Sequence, residues 1–154
     1  MKKYQTEHAE QSRLFLWARN PLIRRANPAL RLLFAIPNGG HRHIQVAKSM
    51  QAEGLTPGVP DICLPVERRY YHGLWIELKT PSHQPKRGGK GGLSDCQARW
   101  LRDLAGENHC AIVCYGCDDA QKAIVAYLNN EEMDAWEKRT ADCVAACIGE
   151  EVAA

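Results

Sequence analysis

The sequence predicts a single α/β domain, a mixed β-sheet with helices packed on it. Three observations lead there. The chain has 154 residues, enough for one compact domain with a real core. Apolar runs of strand length, at 31–36, 59–66, 74–80 and 110–115, alternate with longer stretches of helical spacing. The two central runs are joined only by polar residues 67–73, a hairpin connection.

Taken in order, residues 6–19 read as an amphipathic helix. Thr6 is a fair N-cap, and Leu14, Trp17 and Ala18 fall at helical spacing. Asn20-Pro21 ends that helix, and Asn27-Pro28 marks a turn after Arg24-Arg25. The run 31–36 is the first predicted strand, broken by Pro37-Asn38-Gly39-Gly40. Residues 44–53 look helical, with Gly54 as C-terminal cap. Pro60 and Pro65 confine the next strand and make its start irregular. Residues 74–80 pair with it. Residues 81–92 form a glycine-rich basic loop. Ser94 and Gln97 then fit a capping box, ahead of the apolar stripe Trp100, Leu101 and Leu104. Residues 110–115 are a continuous apolar run, a buried strand. Asp118 caps a helix over 119–128, Asn129-Asn130 breaks it, and 131–148 is a last helix. Residues 5–128 are therefore read as the domain and 129–154 as a C-terminal helical extension.

The net charge of +2 is only mildly basic and excludes no class of partner. No apolar run reaches the length of a membrane span, so no membrane is expected as a partner. Basic residues at the start have no apolar stretch behind them, unlike a signal peptide. Seven scattered cysteines are then read as reduced thiols in a cytoplasmic protein. Cys114-x-x-Cys117 lacks a second pair at zinc spacing, and Cys110 and Cys114 fall in an apolar strand, so burial is the better reading.

The chemistry gathers at the central pair of strands. A strand sends alternate side chains to one face, so Trp75, Glu77 and Lys79 project together while Leu74, Ile76 and Leu78 point the other way. Asp61 opens the neighbouring strand. Two carboxylates and an ammonium group at a strand junction suit a divalent cation and an attacking water. A lysine there can orient the water or stabilise developing negative charge. That combination is what phosphodiester hydrolysis needs.

Pro60-Asp61 followed by Glu77-Leu78-Lys79 resembles the PD-(D/E)XK nucleases. The wider series narrows the resemblance: Glu7-His8-Ala9-Glu10-Gln11, Asn38-Gly39-Gly40, Gly58-Val59-Pro60-Asp61, Glu77-Leu78-Lys79, then Leu93-Ser94-Asp95-Cys96-Gln97-Ala98-Arg99-Trp100-Leu101. In that order the chain is similar to a VRR-NUC domain, the virus-type replication-repair nuclease. The resemblance implies a restriction-endonuclease-like mixed β-sheet flanked by helices. It implies Asp61, Glu77, Lys79 and Gln97 as catalytic residues, and Glu7, Asp61, Glu77 and the backbone carbonyl of Leu78 as ligands of Mg²⁺, with Mn²⁺ as the alternative ion. Glu7 is preferred as the first-helix acid because Glu7 and Gln11 keep the family's spacing; Glu10 is the alternative.

The implied reaction is metal-dependent DNA cleavage, on branched DNA in the manner of Holliday-junction resolvases, by a homodimer in a bacterial or phage-infected cell. A less selective nicking or flap nuclease and a non-catalytic DNA-binding module are the competing readings. Met133, Trp136, Val144 and Ile148 are a candidate dimer surface. Arg42 and His43, after the double glycine, and Lys86, Arg87 and Lys90 in the basic loop are expected to contact DNA. Trp17 and Trp100 are read as core residues.

Overall fold

The computed structural model describes residues 6–37 and 44–149. Helix α1 spans Glu7–Ala18 and α2 spans Pro21–Ala26. A 3-10 turn at Pro28–Leu32 leads into strand β1, Phe34–Ala35. Helix α3, Ile44–Ala52, is followed by β2, Ile62–Leu64, and β3, Leu74–Lys79. After a 3-10 turn at Pro81–His83 come α4, Asp95–Gly106, β4, Cys110–Tyr115, α5, Cys117–Leu128, and α6, Asp134–Ile148. The sheet runs β1-β2-β3-β4. The first two pairings are antiparallel and β3 pairs with β4 in parallel. This is the mixed α/β class that the sequence predicts.

Side-chain alternation divides the core in two. Ile62, Leu64, Leu74, Ile76, Leu78 and Ile112 meet Leu14 of α1 and Ile124 and Tyr127 of α5. On the other face, Ala111, Val113 and Tyr115 meet Leu101 of α4 and Cys143 and Val144 of α6. Leu74, Ile76 and Leu78 are essentially fully buried, each contributing about 1.5–3 kcal/mol. A one-residue slip of β3 would exchange them for Glu77 and Lys79, so apolar burial locks the register that the polar residues depend on.

Among the described residues, strand β4 has no neighbouring strand on its outer side, yet its backbone is not left open. Val113 N donates to Thr140 Oγ1 at 2.9 Å, and the Val113 carbonyl accepts from Arg139 Nη2 at 2.7 Å. Tyr115 N donates to Asp119 Oδ2 at 2.8 Å. Side chains of α5 and α6 thus take the place of a fifth strand, as a protected sheet edge requires.

Several expected elements change form. Residues 31–36 become the end of a 3-10 turn and a two-residue strand. Leu30 and Leu33, three apart, are buried by that turn, and the segment has no β-branched residue before Ile36 to favour a longer strand. The strand expected over 59–66 shrinks to three residues between Pro60 and Pro65. Helix α2 was not expected: Asn20-Pro21 ends α1 but also starts α2, with Asn20 Oδ1 accepting from Leu22 N and Pro21 in the first turn. Asp118 does not cap α5. Gly116 holds the N-cap position, and Glu10 of α1 accepts the Cys117 N–H at 2.6 Å.

Gly58 sets how closely the Asp61 loop approaches α4. Its φ is +88°, and a Cβ there would fall 2.7 Å from the Cys96 carbonyl carbon. Gly58→Ala should lower the denaturation midpoint, with at least about 1–3 kcal/mol lost to backbone strain. Gly106→Ala, in open space at the end of α4, should leave stability equal or raised by up to about 1 kcal/mol. Chemical denaturation of both variants checks this; equal midpoints would show that the contact at Gly58 is unimportant.

Candidate active site

Strand parity carries Glu77 and Lys79 off the apolar face, opposite Val113 and Tyr115 of β4. Asp61, one residue before β2, is clamped on both sides. Its Oδ2 accepts the Leu78 N–H at 2.8 Å, and its carbonyl accepts the Ile36 N–H at 2.7 Å. Gln97 arrives from α4. Its Oε1 accepts the Ser94 N–H at 2.9 Å while Ser94 Oγ accepts the Gln97 N–H at 3.2 Å, the expected capping box. Its Nε2 donates to Glu77 Oε1 at 2.6 Å. One amide serves both partners because its acceptor and donor lie at opposite ends of the group.

Glu77 is 1% exposed and Lys79 is 6% exposed. Lys79 Nζ lies 3.0 Å from Glu77 Oε1 and 3.6 Å from Glu7 Oε1. Glu77 Oε2 is buried with no hydrogen-bond partner among the described residues, an arrangement that is costly for a carboxylate. Burial, then the charge of Asp61, pushes the Glu77 carboxyl up to about 8 despite Lys79. Burial also raises Asp61, against the Leu78 N–H and Lys79. For Lys79, burial works against the charge, but Glu77, Glu7 and Asp61 outweigh it and hold its pKa above the ordinary lysine value. It remains an ammonium group at neutral pH.

The first-helix acids have different surroundings. Glu7 faces Lys79, whereas Glu10 is buried and committed to Cys117 N and Arg13. Glu7 reaches the ammonium group rather than joining the carboxylate pair. Among the described residues no three of His, Cys, Asp and Glu gather as a metal cluster would. The two carboxylates alone still fit a hard cation, because Mg²⁺ commonly takes one or two carboxylates and keeps several waters. The partnerless Glu77 Oε2 beside Asp61 is the observation that favours such a guest.

Lys86, Arg87 and Lys90 are exposed on the loop between β3 and α4, and Lys90 pairs with Asp95 at 3.5 Å. Arg42 and His43 lie outside the described residues. Trp17 packs against the core as expected. Trp100 belongs to neither core cluster: it is half-buried and lines a shallow cleft with Pro57, Cys96 and Arg99. The proposed dimer surface also needs correction. Met133 and Val144 are buried, and Trp136 and Ile148 pack against the two cores, so α6 spends its apolar face on its own sheet. Tyr115 was not singled out from sequence. Its hydroxyl donates to the Gly91 carbonyl at 3.0 Å and holds the end of the basic loop; nothing local in the sequence signals a partner so distant.

An acidic pair, a buried lysine and a glutamine thus meet beside the parallel strand pair. The sequence model of the VRR-NUC domain matches residues 5–118, and the chain belongs to this nuclease family. A solved structure described as a VRR_NUC domain protein shares the fold, with a TM-score of 0.65 and 24% identity, over 84% of this chain and 93% of that one. No curated protein matches the chain.

The buried acid makes stability depend on pH. With its pKa raised from 4.5 to about 8, Glu77 holds a proton in the folded protein that the unfolded chain releases. Stability from this group is therefore full below pH 4.5 and falls as pH rises toward 8. Glu77→Gln, which keeps an oxygen acceptor for Lys79 and Gln97, removes the effect. In chelator, the melting temperature of the variant relative to wild type should rise steadily between pH 4.5 and 8. A pH-independent difference would contradict the burial argument.

Proposed function

We propose that the protein is a Mg²⁺-dependent DNA endonuclease that hydrolyses phosphodiester bonds, selects branched DNA such as a four-way junction, and acts as a homodimer. The observation that carries the reading is the buried Glu77 beside the half-buried Asp61, with Lys79 Nζ 3.0 Å from Glu77. Asp61, Glu77 and the Leu78 carbonyl would hold Mg²⁺, with Mn²⁺ as a substitute. Bound there, the ion would supply Lewis-acid stabilisation of the phosphate and acidify water.

The side chains divide the remaining work. Gln97 and Lys79 fix one Glu77 oxygen, and the other would be the one to hold a cation. The Leu78 N–H holds Asp61 in the same way. Because Lys79 stays protonated, it serves as a donor to a phosphate oxygen or to the attacking water, not as the base. Glu7 helps keep that ammonium charged and in place. Water forms the new bond to phosphorus as the phosphorus–oxygen ester bond breaks, and the leaving oxygen takes up a proton. Paired nicks across a junction call for two such centres in fixed relation, which a twofold dimer supplies.

Incubation of a four-way junction, a flap and a linear duplex with Mg²⁺ tests the reading. Wild type should resolve the junction by paired nicks, and Asp61→Ala should not. Lys79→Ala should lose about 10²–10³-fold in kcat. Cleavage of the flap and duplex as fast as the junction would replace branch selectivity with a general nicking or flap activity, and no cleavage of any substrate would sink the enzyme reading. The two acids of α1 should separate in the same assay. Glu7→Gln should slow cleavage without changing the melting temperature, whereas Glu10→Gln should cost about 1–2 kcal/mol of stability by weakening the α1–α5 anchor. The reverse pattern would make Glu10 the functional acid.

A further inference from the structure

The chemistry just described gives no part to α6, and the family match ends before that helix. Yet α6 forms one wall of a cleft of about 500 Å³ whose other wall is the basic loop between β3 and α4. Lys86 and Arg87 line the loop side; Lys138, Arg139 and Asp142 line the helix side.

These charges are not equivalent. Arg139 is locked by its Nη2 to Asp119 Oδ2 at 2.6 Å and to the Val113 carbonyl at 2.7 Å. It sets the position of α6 against the sheet and offers little free charge. Lys138 is 78% exposed, and its pairing with Asp142 at 3.2 Å is a surface contact, of a kind that stabilises by only about 0–1 kcal/mol and is readily exchanged. Lys86 and Arg87 are exposed, with no ion pair to a described carboxylate. The loop is also tethered near its far end, by Tyr115 to Gly91. Cationic groups therefore line both walls of an open cleft: Lys86 and Arg87 in the stretch of chain that joins Lys79 to Gln97, and Lys138 on α6.

We propose that the basic loop and α6 together clamp the phosphodiester backbone of DNA flanking the cleaved bond, with Lys138 supplying a phosphate contact from a helix outside the family match. Cations on two walls of an open cleft suit a continuous polyanion, whose phosphates recur along the strand. The proposal rests on the nuclease reading. It goes beyond that reading by giving α6 a role in binding substrate, with Asp142 as the competitor that the DNA displaces from Lys138.

The test is the affinity of the full chain for a fluorescent duplex in chelator, measured across a range of salt by anisotropy. Lys138→Ala should weaken binding and make the slope of log affinity against log salt shallower by about 1. Asp142→Asn should tighten binding, an effect that loss of packing would not produce. Lys86→Ala with Arg87→Ala should flatten the slope by about 2. Melting temperatures of the variants confirm that each is folded. If Lys138→Ala and Asp142→Asn bind like wild type at every salt while the loop variant weakens, the loop acts alone and the clamp is overturned. Weaker binding by Asp142→Asn would overturn it as well. A wild type that binds no DNA in chelator but cleaves the junction under Mg²⁺ would overturn the clamp and leave the nuclease reading standing. Salt-dependent binding with the expected variant effects, but no cleavage under Mg²⁺, would count against the nuclease reading alone.

Discussion

Glu77 places a carboxylate where water does not reach, and much of the structure around it answers the cost of doing so. Its strand is held in register by Leu74, Ile76 and Leu78 on the opposite face. Its Oε1 is shared between Lys79 and Gln97. Asp61 is drawn alongside by the backbone of Leu78, which adds a second acid and makes the ionised state still harder to reach. The unshared oxygen of Glu77 then has no donor among the described residues. A buried polar atom left in that condition is a strain that a cation can relieve, and this is why the arrangement reads as a reactive centre rather than a surface ion pair.

The two faces of the sheet contribute differently. Helices α1 and α5 bury the aliphatic side of β3, and Glu10 ties them together through the first turn of α5. On the other side, α4 delivers Gln97, and α6 closes the outer edge of β4 through Thr140 and Arg139. Tyr115 links these functions. Its backbone is held by Asp119, the guanidinium of Arg139 lies 5.0 Å over its ring, and its hydroxyl holds the end of the basic loop. A helix beyond the family match is thus built into the frame that positions the loop.

Much of the centre was legible in the sequence because it is encoded locally. Strand parity places Glu77 with Lys79, and the Ser94–Gln97 capping box fixes the start of α4. That the same Gln97 also reaches Glu77 depends on how α4 is set against β3. The preference for Glu7 over Glu10 rests on the family's spacing to Gln11 alone; both lie in the first turn of α1, and the rotation of that helix sets which of them faces Lys79. Helix α2 and the 3-10 turn at Pro28 were missed because each is shorter than the window over which periodicity speaks. The apolar residues of α6 were misread as a dimer surface for a different reason: an amphipathic stripe records that a face is covered, not whether its own sheet or a second chain covers it.

The claim that the Asp61–Glu77 pair is a cation site is tested most directly by anomalous scattering from crystals grown with Mn²⁺. The account predicts one anomalous peak between the two carboxylates, within about 2.0–2.5 Å of an oxygen from each, with Lys79 and Gln97 still on Glu77 Oε1. Manganese bound only elsewhere, or a carboxylate pair that stays free of the ion at saturating concentration, would contradict it.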